Sequence, residues 1–425
     1  MSERPDLVVT GTGVISPAGL GAARLWEAMA AGKTFFDGGP EGDVGRPAAA
    51  LPWPTAAVDS SEIGWPAGPA WANAGKYANQ SARWAVAVAR QALEQAGISG
   101  ETEDVRGGTV MAVSSSGDEL SDVIPQLASR FRHDPRPLAK FLHDEVPDYS
   151  YIRGIPSQLG QFVNMASGFR GSNVAAYGEA AACGTGALAL AVRLLESGEL
   201  DRVLVVGVGA PLTVTGMAAY DQDDPFGTRA TTGAGPFAAD RAGTLAGQGA
   251  AAVLLERADA AAGPARARLL GCEVLAAADL PTALGLAVDG ALAEAGTAPT
   301  GWWAHGSGSV RLDRVEARAV LPRVGGVPVT GSKGTIGNAF ECSALIDTTL
   351  VVETLARGEL PPLGLVDRPD PGLVGLDPVL DASRPVPTDA AFLVTALNQG
   401  AQATSAGAAV IAAPRSATDH GKARQ

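Results

Sequence analysis

The sequence predicts a large α/β protein built from two similar halves. Short runs rich in Val, Leu and Ala alternate with long Ala-rich stretches of helical spacing, and the 54 glycines and 29 prolines fall mostly at the joints between them. The chain has 425 residues, of which 46% are hydrophobic, enough to bury one large core or two fused ones. The alternation starts afresh near residues 257–265, which places the junction between the halves there.

The elements of the first half follow in order along the chain. We predict strand 6–11, helix 22–31, helix 79–97, strand 106–113 and, within 171–209, an apolar run, a turn at Gly184 and Gly186, a helix and strand 203–209. The helix over 79–97 is expected in the core, because its small apolar residues share one face and Gly97 ends it. Two excursions break the rhythm: 34–79 is expected on the surface, and 118–160 is expected to be helical or irregular.

The second half repeats the same rhythm. After a strand over 242–256, we predict strand 266–277, helix 281–295, strand 302–306, helix 312–321, strand 327–332, helix 342–357 and a strand pair within 391–412. The expected domains are therefore 1–257 and 258–413, followed by a polar tail over 414–425.

Charge and cysteine content argue against several functions. The formal net charge is −13 and aromatic residues make up 5% of the chain, which disfavours a nucleic-acid partner. The three cysteines, Cys183, Cys272 and Cys342, are widely spaced, so neither a disulfide scaffold nor a metal site is expected. No apolar run approaches the roughly 20 residues of a membrane span, and the N-terminus lacks the apolar region of a signal peptide. We therefore expect a cytoplasmic protein without a membrane partner.

Nucleotide and hydrolase motifs are weak or missing in the sequence. Gly184-Thr-Gly186-Ala-Leu-Ala189 fits the loose dinucleotide pattern G-x-G-x-x-A, but strand 203–209 lacks an acidic residue at its end. The sequence contains neither a Walker A loop nor a G-x-S-x-G elbow. Nucleotide binding and these hydrolase chemistries are therefore disfavoured.

Three side chains stand where predicted strands end, a position that favours chemistry. Cys183 precedes a helix whose positive end would lower a thiol pKa and make it a nucleophile; the alternative is a small buried hydrophobe. His305 follows an apolar strand on a flexible turn, suited to acid–base chemistry or to a structural role. Lys333 is either a solvated loop charge or a fixed cation, and Asn338 follows it by five residues.

Six motifs, in this order, resemble the β-ketoacyl synthase family of the thiolase fold over nearly the whole chain. They are Val-Thr-Gly-Thr-Gly-Val-Ile-Ser-Pro-Ala-Gly (9–19), Ser114-Ser-Ser-Gly117, the turn around Cys183, Pro236-Phe237 with Ala239-Asp-Arg-Ala-Gly243, Ala304-His-Gly-Ser-Gly308 and Gly331-Ser-Lys-Gly-Thr-Ile-Gly-Asn338. The resemblance implies two α/β halves in a five-layer αβαβα arrangement.

The resemblance also implies roles for the candidate residues. In active members a Cys takes the acyl chain, two His support decarboxylation of malonyl groups, and a Lys orders the site. His305 and Lys333 are retained here, whereas Asn338 stands at the second His position. An Asn amide can still donate a hydrogen bond to a thioester oxygen.

The position of the nucleophile is ambiguous in register. Counting from Arg170-Gly171 places the family's Cys at Ala180, and counting back from the following helix places it at Ala181. Cys183 reaches the position only if that helix is shortened by two residues, which would rotate its buried face by about 200°. We therefore favour Ala181 at the nucleophile position and keep Cys183 as the alternative.

Two departures from the family point toward a non-catalytic role. The family's Gly-Phe-Gly-Gly gate corresponds to Asn398-Gln399-Gly400-Ala401, and the Glu of its G-E-G turn is Gln248. The segment 327–340 and the helix after His305 look most like the chain-length factors (ketosynthase β subunits) of type II polyketide synthases. In these subunits the Cys is often Gln, which is not found at 180–183.

The leading hypothesis is a non-catalytic subunit of a β-ketoacyl synthase complex. It would form a heterodimer with a ketosynthase α subunit that acts on chains bound to an acyl carrier protein, and residues 118–131 would close the shared tunnel that measures the chain. No cofactor or metal is implied, since the substrate arrives on the phosphopantetheine of the carrier. The alternatives are an active synthase or acyltransferase using Cys183, His305 and Asn338, and a docking scaffold with no role in the tunnel.

Overall fold

The computed structural model describes residues 4–36, 53–99, 104–113, 127–146, 149–155, 157–177, 181–209, 226–398 and 404–415, together with 212 and 217. The strands in chain order are β1 (Leu7–Ser16), β2 (Gly19–Leu20), β3 (Thr55–Ala56), β4 (Gly107–Val113), β5 (Asn173–Tyr177), β6 (Arg202–Gly209), β7 (Ala246–Gly247), β8 (Gly249–Arg257), β9 (Ala267–Ala276), β10 (Gly301–Trp303), β11 (Pro328–Thr330), β12 (Glu359–Leu360), β13 (Asp377–Pro378), β14 (Arg384–Pro385), β15 (Ala391–Leu397) and β16 (Ser405–Ala412). The α-helices are α1 (Ala22–Ala30), α2 (Pro69–Ala74), α3 (Gln80–Gln95), α4 (Leu138–Glu145), α5 (Ser150–Arg153), α6 (Ser157–Ser167), α7 (Ala182–Glu196), α8 (Leu280–Ala295), α9 (Val310–Val324), α10 (Lys333–Ile336) and α11 (Ser343–Arg357).

The main sheet repeats one strand order in the two halves of the chain. Its order is β13-β11-β10-β15-β16-β9-β1-β8-β6-β4-β5. When the two-residue strands β2 and β13 are left aside, the first strand of each half lies beside the last of five, followed by the fourth, second and third. The two halves meet where β1 pairs antiparallel with β9, at Val8 opposite Arg268 and Val9 opposite Ala267. The repeat supports our proposal that the first unit ends at 257, the last residue of β8.

Successive side chains along a strand of the main sheet point alternately to a central layer of helices and to an outer one. On β4, Val110 and Ala112 belong to the core cluster that contains α7 and α11, whereas Met111 and Val113 pack with α3 on the opposite face. The second half packs its outer face against α8 and α9 in a third cluster. The predicted five-layer αβαβα arrangement is therefore confirmed.

Helix α3 matches its prediction closely. The Asn79 side chain caps it by accepting from the Ala82 N–H, and Gly97 follows it with φ 76°. Every apolar residue used to predict its core face is buried: Ala82, Val86, Ala89, Leu93 and Ala96. Packing of small side chains lets this helix lie close to β1.

The predicted turn at Gly184 and Gly186 is wrong, because both residues lie inside α7. A Cβ on Gly184 would sit 2.9 Å from the Glu341 carbonyl oxygen and 3.2 Å from the Ala344 Cβ. Gly184 therefore permits close approach of two chain segments in the central layer, and the glycine pattern reflects packing rather than a turn. The single strand predicted over 242–256 is also two strands, β7 and β8, interrupted at Gln248.

The two irregular segments, 34–79 and 118–160, contain different secondary structure. Within the described part of 118–160, residues 127–131, α4, α5 and the start of α6 are helical, as the sequence allowed. The described part of 34–79 holds only β3, α2 and one short turn of helix at Gly75–Tyr77. Among the described residues, no helix is both long and apolar enough to cross a membrane. Of the predicted tail, residues 416–425 lie outside the described ranges.

Candidate active site

His305 lies on a buried turn that two carboxylates hold in place. Its backbone N–H donates to Glu316 Oε1 at 2.7 Å, and the Gly306 N–H donates to Glu316 Oε2 at 2.9 Å. The N–H groups of Ser307 and Gly308 donate to Asp313 Oδ1 at 3.0 and 3.2 Å. The expectation of a flexible turn is therefore wrong, because four successive backbone donors are bound by charged or strongly polar acceptors.

The two carboxylates come from the first turns of α9. Ser309 caps this helix by accepting from the Leu312 N–H, and residues 313 and 316 are three apart, so they share the buried face. Burial raises the pKa of Asp313 to about 6, against the nearby charge of Arg241, and raises the pKa of Glu316 to about 7. The sequence analysis missed both residues; two acids on the apolar face of a helix directly after the His motif were the available signal.

The imidazole of His305 is set up as a neutral group. The residue is 1% exposed, and neither Nδ1 nor Nε2 has a hydrogen-bond partner among the described residues. Burial, together with the positive charge of Lys333, holds the pKa of His305 well below its ordinary value. A neutral ring keeps one N–H donor and one lone pair for a bound group.

Lys333 is a fixed cation rather than a solvated charge. It is 1% exposed and its Nζ lies 3.1 Å from Asp347 Oδ2. Asp347 Oδ1 accepts from Trp303 Nε1 at 2.9 Å and from Ser332 Oγ at 2.5 Å, so the carboxylate is itself held from two sides. Asp347 lies on α11 and was not anticipated from the sequence.

Asn338 is fully buried and bound to the surrounding backbone. Its N–H donates to the Leu245 carbonyl oxygen at 2.6 Å. Its side-chain Oδ1 accepts from the Phe340 N–H at 3.1 Å and from Ser343 Oγ at 2.8 Å. The amide is therefore oriented by protein donors on its oxygen side.

The thiol of Cys183 faces the sheet. Cys183 is the second residue of α7, and its Sγ donates to the Ala176 carbonyl oxygen at 3.2 Å, with the Val113 carbonyl 3.9 Å away. Burial, reinforced by the charge of Glu341, raises the pKa of this thiol to about 12. Cys183 is therefore a thiol and not a thiolate at neutral pH.

Ala181 lies on the other side of the same helix end. It is fully buried in a small cluster with Ala344 and Ala396. Ala396 follows Thr395, whose Oγ1 accepts from the His305 N–H at 3.3 Å. The neighbours of Ala181 in this cluster are thus next to residues that contact His305 and Asn338, while Ala180 lies outside the described residues. The assignment of the nucleophile position to Ala181 stays a prediction.

Asn398 caps α7 from the second half of the chain. Its Oδ1 accepts from the Ala182 N–H at 3.1 Å, and its Nδ2 donates to Ser405 Oγ at 2.5 Å. The sequence marked Asn398 only as a departure from the family's gate, so this contact was missed. Residues 399–401 of the gate and the Ser114–Gly117 motif lie outside the described ranges.

Gln248 is the other departure from the family. Its side-chain Oε1 accepts from the Val58 N–H at 3.2 Å, and its backbone N–H donates to the Ala56 carbonyl oxygen at 2.9 Å. It therefore ties the 53–58 segment to the junction of β7 and β8. In the part of the chain that the structure covers, no group of three or more His, Cys, Asp or Glu side chains is placed to hold a metal ion.

Comparison with known proteins places these features in a family. The profile of the β-ketoacyl synthase N-terminal domain matches residues 4–261. The chain is 28% identical to the tetracenomycin polyketide synthase ketoacyl synthase beta subunit of Streptomyces glaucescens, covering 93% of this chain and 96% of that protein. It is 27% identical to the alpha subunit of the same synthase, covering 96% and 97%.

Solved structures show the same fold. One chain in the structure of a type II polyketide synthase acyl-carrier protein in complex with its ketosynthase bound to the hexaketide has the same fold. The TM-score is 0.81 at 20% identity, and the match covers 97% of this chain and 100% of that one. The ishigamide ketosynthase/chain length factor matches with a TM-score of 0.78 at 19% identity, with the same coverage. These likenesses confirm the predicted thiolase fold.

Proposed function

The chain belongs to the β-ketoacyl synthase family, and we propose that it is the chain-length factor (ketosynthase β) subunit of a type II polyketide synthase. In this role it pairs with an active ketosynthase α and helps to build and measure chains carried on an acyl carrier protein. The support from relatives is a beta subunit and an alpha subunit that each match nearly the full length of the chain.

The observation that carries the proposal is a site with its accessory groups but no activated thiol. His305 and Lys333 are buried and ordered. Cys183 donates to a strand carbonyl and has a pKa raised to about 12. A nucleophilic cysteine needs the opposite environment, one that lowers its pKa. This arrangement supports a subunit that does not carry the growing chain covalently.

Strand β5 offers a surface for the ketosynthase α subunit. It stands at one end of the main sheet and pairs, among the described strands, only with β4. The side chains of residues 173–176 are half-buried or exposed, as in Asn173 and Val174. Unpaired edges bind other chains by continuing the sheet. We assign the heterodimer contact to this edge.

Length control is assigned to the excursion over 118–131. Residues 118–126 lie outside the described ranges. Phe131 is half-buried, and its ring lies 5.2 Å from that of Phe141 in a separate small cluster. The proposal keeps the cytoplasm as the location and requires no dissolved cofactor, since the acyl chain arrives on the carrier's phosphopantetheine.

The test is reconstitution with a ketosynthase α subunit of a type II polyketide synthase. We expect the two chains to co-purify as a heterodimer, and Val174→Arg to reduce the yield of the complex at least tenfold. Val374→Arg is the matched control, because Val374 is 87% exposed and far along the chain from β5. Equal loss with both variants, or no loss with either, would contradict the edge-strand assignment.

Product length then separates this function from its rivals. With the carrier and malonyl groups supplied, Phe131→Ala should shift the products to longer chains in mass spectra of the released polyketides. A docking scaffold would leave the products unchanged. A self-sufficient synthase or acyltransferase would form a thioester on Cys183 without a partner, which the raised pKa of that thiol disfavours.

A further inference from the structure

An aromatic column runs from the candidate site to the surface. The Phe340 ring lies 6.3 Å from the Phe226 ring at 69°, and the Phe226 ring lies 5.4 Å from the Trp53 ring at 58°. Both phenylalanines are buried, whereas Trp53 is half-buried at the outer end. Met217, Ala246 and Leu212 belong to the same cluster. Trp53 belongs to the surface segment 34–79, to which the sequence analysis assigned no function.

The inner end of the column touches the site directly. The Phe340 N–H donates to Asn338 Oδ1 at 3.1 Å. The backbone of Asn338 is in turn bound to the strand segment that carries Ala246, through the Leu245 carbonyl oxygen and the Gly247 N–H. Ring, amide and strand therefore form one packed unit, so a molecule entering along this path would have to displace the rings.

Phe340 keeps an unfavourable backbone conformation to hold this place. Its φ is 46°, in the left-handed region that non-glycine residues rarely adopt. Such a conformation is strained, and burial of the phenylalanine ring is a stabilisation of the same order, so packing of the ring offsets the strain. Strain retained beside a functional site points to a role for the ring there.

We propose that Trp53, Phe226 and Phe340 form an aromatic plug that bars a pantetheine-borne acyl chain from the candidate site of this chain. In this role the packed rings close the space between Asn338 and the half-buried Trp53 to the acyl chain and its linker. Chain growth is thereby confined to the active partner, although His305 and Lys333 remain ordered inside. The inference rests on the proposed function for the identity of the excluded chain.

The test is photolabelling of the reconstituted complex with an octanoyl-pantetheine amide that carries a terminal diazirine. In the wild type, we expect label on the ketosynthase α subunit, which shows that the probe is competent, and little on peptides of this chain that contain His305 or Asn338. Phe226→Ala and Phe340→Gly should raise the label on those peptides at least tenfold. Phe162→Ala is the matched control, since Phe162 is a buried phenylalanine that contacts the half-buried Trp65 edge to face in a different cluster.

Two results would overturn the plug. One is wild-type labelling of the His305 and Asn338 peptides at the level of the variants; the other is unchanged labelling in variants that melt within a few degrees of the wild type. Trp53→Ala, at the half-exposed end, decides the question if the buried substitutions do not fold. A failure of the proposed function looks different, because this chain would then not co-purify with the ketosynthase. A failure of the plug leaves the complex intact and is seen in the label on the His305 and Asn338 peptides of this chain.

Discussion

The buried pair of Lys333 and Asp347 gives the sharpest energetic prediction. Asp347→Asn keeps the size of the side chain but leaves a lysine that is 1% exposed without its anion. Removing one partner of a buried pair costs about 3–5 kcal/mol, because the remaining charge stays desolvated. We expect the free energy of unfolding of Asp347→Asn to fall by that amount.

The converse change should cost less. In Lys333→Met, Asp347 still accepts from Trp303 Nε1 and Ser332 Oγ, so we expect a loss of about 1–3 kcal/mol. The double variant should be no less stable than Asp347→Asn alone, since the unpaired lysine is gone. Urea unfolding followed by circular dichroism measures all three. Losses that simply add in the double variant would refute the coupling of the pair.

Three further predictions concern packing, titration and capping. Gly184→Ala should lower the free energy of unfolding by about 1–3 kcal/mol, because the added Cβ would lie 2.9 Å from the Glu341 carbonyl oxygen. Gly186→Ala places its Cβ in open space and should raise the free energy of unfolding by about 0.5–1 kcal/mol. Urea unfolding measures both. The folded-state pKa of His305 is depressed below the usual 6.5, so below about pH 6.5 the unfolded chain gains a proton that the folded chain does not, and the wild type loses stability. His305→Gln lacks this group, so in thermal melts the wild type should lose more stability than the variant between pH 7.5 and 5. A constant difference between the two proteins would contradict this prediction. Asn398→Ala removes the cap on α7 and should cost about 1 kcal/mol, with faster hydrogen exchange at the start of that helix as the measurement.

The fold was largely predictable because apolar residues recur along this chain at the regular spacings of strands and helices. Small apolar residues on one face placed α3 correctly, and the repeated strand order supports the proposed junction near 257–265. The glycines of α7 misled, since the same residue type serves turns and close helix contacts, and only the three-dimensional neighbours distinguish the two.

The site was predictable only in part, for a physical reason. His305, Lys333 and Asn338 belong to recognisable motifs. Their partners Glu316 and Asp347 lie 11 and 14 residues further along the chain, on helices, and Asn398 caps α7 from 216 residues away. A charged residue on a helix usually faces solvent, so the acids after the His motif give only a weak local signal of burial, and nothing in the local pattern marks Asp347. The positive φ of Phe340 likewise depends on packing against rings far away in the chain.

The most direct test of the central claim is intact-mass measurement of this chain, alone and with its ketosynthase α subunit, after exposure to acyl- and malonyl-loaded carrier protein. A Cys183→Ala variant serves as the control. A chain-length factor predicts no adduct on this chain and an acyl adduct on the co-purifying partner. An adduct on the lone chain that disappears in Cys183→Ala would contradict the account and make the protein a synthase in its own right.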